Sequence, residues 1–408
     1  MPASNNRSFP LIAYAVFMAS VFFIIASKVS VTAAFDDYFF AHALDNVSLV
    51  DYLKNRYEIW TGRVALEAIL VTTIQHSLFW RLAIPTCVLL AGYSIWSMTL
   101  RNSLPYKAGI PIAVSMLLLI EQSVAADAMW WVTGFYNYLL PVSFGLYAID
   151  VFIRQDKVAG WQKALSIPFV FIACSAEQPA ICLIIAIALI AISLKGLTPF
   201  KSIFILSAIA ATAVLFLSPG NHNRFMVESS RYMPEIFSYG LFQKVSIGMD
   251  RLHTHFRSYT NLPLLVSMVT AIAAVISNKG KMEKQDKLAV FILALSLAFF
   301  ITLPLYSVGK ANYLNGVFQF SPENWSLYYS YTSFAFTLLS ICSMLWTSLK
   351  GNGYTAFLAL SLATLVTAAI GMSPTVYESG QRVLFVFDVG LIIFSCAMIS
   401  RVVQRRQS

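Results

Sequence analysis

The chain has 408 residues, 58% hydrophobic and 12% charged, against about 45–50% apolar and about 25% charged in an ordinary globular protein. With only 19 acidic and 28 Lys or Arg residues to cover a soluble surface, soluble, disordered and fibrous classes are excluded, and a polytopic membrane protein remains. The net charge of +9 reads as anchoring of cytoplasmic loops rather than as a nucleic-acid footprint.

Apolar runs long enough to cross about 30 Å of hydrocarbon, roughly 20 residues each, lie near 9–29, 80–100, 109–126, 135–153, 165–177, 179–194, 202–217, 262–277, 288–305, 327–349, 354–372 and 383–400. The expected fold class is therefore an all-α polytopic membrane protein, a single transmembrane domain with about twelve spanning helices. The first run follows Arg7 as in a signal peptide, but it is too long for a typical secretory core and reads as an uncleaved helix. Val64 to Ile74 forms a further, shorter run that carries Glu67. The five cysteines fall inside apolar runs without metal-ligand spacing, which supports neither a disulfide framework nor a zinc site.

Charge decides how the short run lies. If it stays on one face, short basic segments alternate with longer, aromatic, acid-bearing ones. The basic set holds Arg101 with Lys107, Arg154 with Lys157 and Lys163, Lys195 with Lys201, the lysines from Lys279 to Lys287, Lys350, and Arg401, Arg405 and Arg406. Positive residues stay inside, which places both termini in the cytoplasm and makes 64–77 an outer juxtamembrane helix. The outer segments are then about 30–77, 125–134, 175–179, 218–261, 306–326 and 373–382. No inner loop carries a glycine-rich phosphate pattern, so chemistry is expected outside, away from ATP.

The first outer segment reads Ala34-Phe35-Asp36-Asp37-Tyr38-Phe39-Phe40. Adjacent carboxylates near hydrocarbon repel each other, so one is expected to keep its proton to higher pH, as suits a base taking a proton from a sugar hydroxyl. The alternative is an N-cap and a solvated turn. Trp60-Thr61-Gly62-Arg63 follows, with Glu67 one turn later. Arg63 either pairs with Glu67 at i,i+4 or clamps a phosphate with its planar fork.

The second segment holds Asp127, Trp130, Trp131 and Asn137. Its tryptophans either anchor the interface or stack on a sugar or a lipid chain, with Asp127 and Asn137 as polar neighbours. In the tight hairpin Ser175-Ala176-Glu177-Gln178-Pro179, Glu177 is a site candidate under the rule for membrane-depth acids, or a snorkelling turn residue. Ser218-Pro219-Gly220-Asn221-His222-Asn223-Arg224 makes a turn whose Asn221 and Arg224 would meet phosphate or glycan hydroxyls, unless the turn is a plain one. The rest of that loop is basic and amphipathic. His253 and His255, two apart, diverge on a helix rather than chelate. Further outer residues are Lys310, Tyr313, Glu323 and Trp325, then Tyr377, Glu378 and Arg382. Asp388, inside the last span, calls for a basic partner such as Arg382. Asn46-Val47-Ser48 matches a glycosylation pattern short enough to arise by chance.

Asp-Asp-Tyr after the first span, Trp-x-Gly-Arg at 60–63, Trp-x-Thr-Gly-x-x-Asn-Tyr-Leu at 131–139, Glu-Gln at 177–178 and Ser-Pro-Gly-Asn-x-x-Arg at 218–224 together resemble a bacterial family of polytopic proteins. That family is similar to GT-C-class glycosyltransferases and to serotype-converting O-antigen glucosyltransferases. The match covers roughly residues 34–224. It differs from the family at Glu177-Gln178-Pro179, where an Asn-Glu-Asn-like stretch is typical, and in lacking a sizeable soluble periplasmic domain.

The resemblance implies an inner-membrane hexosyltransferase that works on the periplasmic face. Its donor would be a sugar, glucose by analogy, on undecaprenyl phosphate, and its acceptor a lipid-linked O-antigen or similar glycan of the lipopolysaccharide. Asp36 or Asp37 would be the base. The candidate substrate-binding residues are Trp60, Arg63, Asp127, Trp130, Trp131, Asn137, Glu177, Asn221, Arg224 and Lys310. No cofactor is required and a divalent metal is optional, since phosphate already leaves well. Besides donor and acceptor, the implied partners are membrane lipids, a flippase and a donor-synthesising glycosyltransferase, with no nucleic acid. Two other readings stay open. An O-antigen polymerase or ligase is favoured by the basic 218–261 loop, and a lipid or solute transporter would need essential polar groups at the bilayer midplane.

Overall fold

The computed structural model describes residues 9–31, 35–193, 196, 198–258, 260–278, 282–307, 328–350 and 353–407. Among these residues the protein is entirely helix and turn, with no strand. Lys310, Tyr313, Glu323 and Trp325 lie outside the described residues.

Each of the twelve apolar runs is helical over most of its described residues, but they differ in reach. Among the described residues, eight helices are long and apolar enough to cross a membrane: Pro10–Lys28, Ser77–Leu100, Val132–Ile153, Pro199–Phe216, Lys284–Thr302, Thr332–Leu349, Tyr354–Met372 and Arg382–Arg406. The run at 109–126 is broken, with helices Tyr106–Leu118 and Gln122–Trp130 bent by 92°. The remaining three runs form α10 (Gly160–Ala173), α11 (Glu177–Ser193) and α15 (Leu262–Ile276). At 1.5 Å per residue these are about 21–26 Å long, short of the hydrocarbon thickness.

The stretch expected at the membrane face is built from α3 (Leu49–Ile59) and α4 (Val64–Thr73). Ser48 starts α3 as its N-cap, its hydroxyl accepting from the Asp51 N–H at 3.2 Å. Ten residues of α4 span about 15 Å, half a hydrocarbon core, so this helix does not cross by itself. The two helices are pinned by Arg56, whose guanidinium holds both oxygens of Glu67 at 2.8 and 2.6 Å, while Tyr52 donates to the same carboxylate at 3.3 Å. Burial, then the Glu67 carboxylate, raise the Tyr52 phenol above its ordinary value, so it stays a donor.

The chain clusters into two compact units: residues 1–118 with 126–221, and residues 119–125 with 222–408. In the first, α9 (Leu140–Ile153), α10, α11 and α12 (Pro199–Phe216) follow one another through short turns and pack as antiparallel neighbours. Alternation brings the start of α9, the end of α10, the start of α11 and the end of α12 to one end of this bundle. Contacts there join Asp37, residues 57–63, Thr133, Asn137, Glu177 and the turn at 218–221. In the second unit the core is formed by Leu252, Phe256, Leu264, Phe300, Met344 and Phe387, among others. Burial of Leu252 and Phe256 draws the C-terminal half of α14 (Leu241–Phe256) inside.

Candidate functional site

At the motif end of the first unit, a continuous polar chain runs through residues far apart in sequence. Asp37, in the first turn of α2 (Phe35–Ala41), is fully buried, and its Oδ1 accepts from both the Thr133 N–H (3.0 Å) and the Thr133 hydroxyl (2.5 Å). The Thr133 carbonyl accepts from Asn137 Nδ2 at 2.9 Å, and Asn137 Oδ1 accepts from Arg63 Nη1 at 2.9 Å. Arg63 turns its other edge to Glu177, with Nε at 2.9 Å and Nη2 at 2.6 Å from Oε2. Burial works against the Arg63 charge, but Glu177, then Tyr138, hold the guanidinium more firmly protonated than usual.

Arg63 therefore pairs with Glu177, 114 positions away, and not with Glu67 one turn on; Arg56 has taken Glu67. Position explains the choice. Arg63 is the N-cap residue of α4 with non-helical torsions, so its side chain leaves the helix start in another direction from the i+4 face. The fork that would clamp a phosphate is filled by a carboxylate of the same bidentate geometry.

The two aspartates have separate environments. Asp37 is enclosed by Thr133, whereas Asp36 is exposed. Successive residues on a helix point about 100° apart, so the pair splits into one inward carboxylate and one accessible carboxylate rather than a shared proton site.

Ser218-Pro219-Gly220-Asn221 is bonded to backbone. The Ser218 hydroxyl donates to the Tyr57 carbonyl at 2.6 Å, Asn221 Oδ1 accepts from the Gly62 N–H at 3.3 Å, and Asn221 Nδ2 donates to the Leu215 carbonyl at 2.5 Å. Both ends of the Asn221 amide are thus engaged in holding 57–62 on the end of α12, as in the plain-turn alternative of the sequence reading. Glycine is required on both sides of this approach: a Cβ on Gly62 would lie 2.1 Å from the Leu215 oxygen, and one on Gly220 would lie 2.3 Å from the Trp60 nitrogen. Because the obstacles are backbone, Gly62→Ala is expected to destabilise the protein by about 1–3 kcal/mol, seen as a lower unfolding temperature in detergent. A variant as stable as the parent contradicts this close packing.

Trp60 is half-buried, with the Arg56 guanidinium 5.9 Å from its ring centre. Asp127, Trp130 and Trp131 are likewise partly exposed, on the π-helical turn Ala126–Trp130 and just after it. Arg224 belongs to the second unit, where it faces Glu228 at 3.7 Å.

Against this geometry stand the comparisons. No family model, characterised protein or solved structure matches the chain. The family resemblance rests on the motif residues themselves.

The second unit holds a polar cluster that the sequence did not assemble. Asp388, fully buried, contacts His255 Nε2 at 2.7 Å, and Glu121 lies 3.5 Å from His255 Nδ1. Glu121 sits at the break in the bent span, and it accepts from Ser258 at 2.9 Å and Thr260 at 3.0 Å. On the same helix, Asp250 accepts from Tyr377 at 2.8 Å, and Arg251 donates to the Gly380 carbonyl at 2.7 Å. His253 turns to Thr337 at 2.8 Å, so the two histidines do diverge.

Burial disfavours the His255 charge, but Asp388, then Glu121, outweigh it and raise the imidazole from 6.5 to about 9. A group held above its unfolded value stabilises fully below pH 6.5 and loses that contribution as pH rises through about 9. The unfolding temperature is therefore expected to fall by about 5 °C between pH 7 and pH 10, and His255→Gln to flatten that slope. A parent and variant with parallel pH profiles contradict the assignment.

Proposed function

We propose that the protein is a membrane glycosyltransferase that moves a sugar from a polyprenyl-phosphate donor to a hydroxyl of a lipid-linked glycan. The observation that carries this reading is convergence: Asp37, Arg63, Asn137 and Glu177, drawn from four separate segments, meet at one end of the first unit, with Asp36 exposed next to Asp37. An exposed carboxylate next in the chain to Asp37, a bidentate-capable arginine linked to Asp37 through Thr133 and Asn137, and Trp60, Trp130 and Trp131 nearby in sequence fit a base, a phosphate holder and stacking surfaces.

In the reaction, Asp36 takes the proton of the acceptor hydroxyl. The acceptor oxygen bonds to the anomeric carbon as the bond from that carbon to the phosphate oxygen breaks, and polyprenyl phosphate leaves with the electron pair. Asp37 positions α2 through Thr133. Arg63 receives the phosphate by exchanging one bidentate anion, Glu177, for another. With both termini in the cytoplasm, the topology expected from the basic segments, this end of the unit would lie on the periplasmic face of the inner membrane, where a lipid-linked donor replaces a nucleotide sugar.

The polymerase or ligase reading leaned on basic residues of the 218–261 loop. Arg251 among them is buried and bonded to the Gly380 carbonyl, which favours the transferase. The test is purified protein in nanodiscs with undecaprenyl-phosphate glucose and a lipid-linked glycan acceptor. Glucosylated acceptor and free undecaprenyl phosphate in equal amounts are expected; release of neither overturns the reading for this donor.

A further inference from the structure

Between the C-terminal ends of α2 and α4 the first unit has an open depression of about 340 Å³, at the small end of the range for ligand sites, about 300–1,000 Å³. Its apolar lining is Leu44 and Val71, with Ala41; its polar lining is Asp45, Gln75 and His76, with Thr72. The walls are fixed from both sides. Asp45 Oδ2 holds His42 Nδ1 at 2.8 Å, His42 packs on Tyr38 with ring centres 4.5 Å apart, and Gln75 Nε2 donates to the Ala41 carbonyl.

Those bonds leave specific capacity over. Among the described residues, Asp45 Oδ1, Gln75 Oε1 and the His76 ring have no hydrogen-bond partner. This set offers acceptors and one group that both donates and accepts, with no Lys or Arg in the lining. A phosphate or carboxylate would meet the Asp45 carboxylate with no lysine or arginine in the lining to bind it, so an anion is disfavoured. A long apolar chain would leave the polar wall unpaired. Hydroxyl groups on a ring with apolar C–H faces satisfy both halves of the lining.

Ala41 lies five residues beyond Asp36, about 7.5 Å along the helix axis. A sugar held in the depression would thus stand within roughly one ring of the accessible carboxylate.

We propose that this depression is the subsite for a neutral carbohydrate, the acceptor sugar, gripped by Asp45, Gln75 and His76. It rests on the transferase reading for the word acceptor, but not for the sugar.

The experiment is saturation-transfer NMR on the full-length protein in phospholipid nanodiscs. The probes are the methyl glycosides of glucose, galactose, mannose and rhamnose, with glycerol 3-phosphate as an anionic control. At least one glycoside is expected to show saturation that falls tenfold or more in Asp45→Ala and in Gln75→Ala, while glycerol 3-phosphate shows none. These residues line an open surface, and retained unfolding temperature shows that each variant is folded. Sugar binding that survives both substitutions, or no binding of any glycoside to the parent, overturns the proposal. Binding that behaves as expected in a protein without transfer activity leaves the subsite standing and overturns the transferase reading instead.

Discussion

Asp36→Asn is expected to lower the rate of sugar transfer by about 10²–10⁴-fold, the usual contribution of a positioned general base, with normal expression and an unchanged unfolding temperature. Its exposure is the reason: Asp36 is the carboxylate of the pair that an acceptor can reach. Asp37 is expected to behave in the opposite way. It is fully buried and accepts two hydrogen bonds from Thr133, so Asp37→Ala strands two donors at a cost of about 1–3 kcal/mol each and is expected to reduce stability and yield. Initial rates and unfolding temperatures for the two variants, measured on the same nanodisc preparations, separate the roles. If Asp36→Asn transfers sugar at the parental rate, Asp36 is not the base.

The second large effect concerns the Arg63–Glu177 pair. Both side chains keep about a quarter of their exposure, 24% and 27%, so the pair is open to exchange rather than sealed in the core. If donor phosphate displaces Glu177 from the guanidinium, the carboxylate is a competitor. Arg63→Ala is then expected to raise the donor KM tenfold or more, and Arg63→Lys to restore little, because an ammonium lacks the planar fork. Glu177→Gln is expected to move the donor KM down, by about tenfold, which corresponds to about 1.4 kcal/mol. Steady-state kinetics against donor concentration checks both signs. Should Glu177→Gln raise KM as Arg63→Ala does, Glu177 is a bracket for Arg63 and not a competitor.

These two cases also mark what was legible in the sequence. The motifs at 36–37, 60–63, 131–139, 177 and 218–221 could be picked out because charged and amide groups are scarce in an apolar chain. Partner choice was not legible. Arg63 has Glu67 at a favourable helical spacing, and only the N-cap geometry of Arg63 and the presence of Arg56 across the α3–α4 corner send it to Glu177. Asn221 reads equally well as a ligand group or a turn residue until the Gly62 N–H and the Leu215 carbonyl are seen to use both ends of its amide.

The second unit was harder to read for a related reason. The segment 241–256 has the polarity of a surface loop, yet Asp250, Arg251, His253 and His255 are all buried, because Leu252 and Phe256 on the same helix turn are drawn into the core. Asp388 finds His255 across 133 positions, a distance at which spacing carries no information. Span length was only partly legible. Composition locates each apolar run, but it does not show that the run at 109–126 breaks at Glu121, where Ser258 and Thr260 capture the carboxylate.

The central claim is that the protein adds a sugar to a lipid-linked glycan, and mass spectrometry of the surface polysaccharide from a strain lacking this chain tests it most directly. The expected result is a repeat unit lighter by one hexose with unchanged chain length, restored by the parental sequence and not by Asp36→Asn. A repeat unit of unchanged mass, whether the chains are shortened or intact, contradicts it.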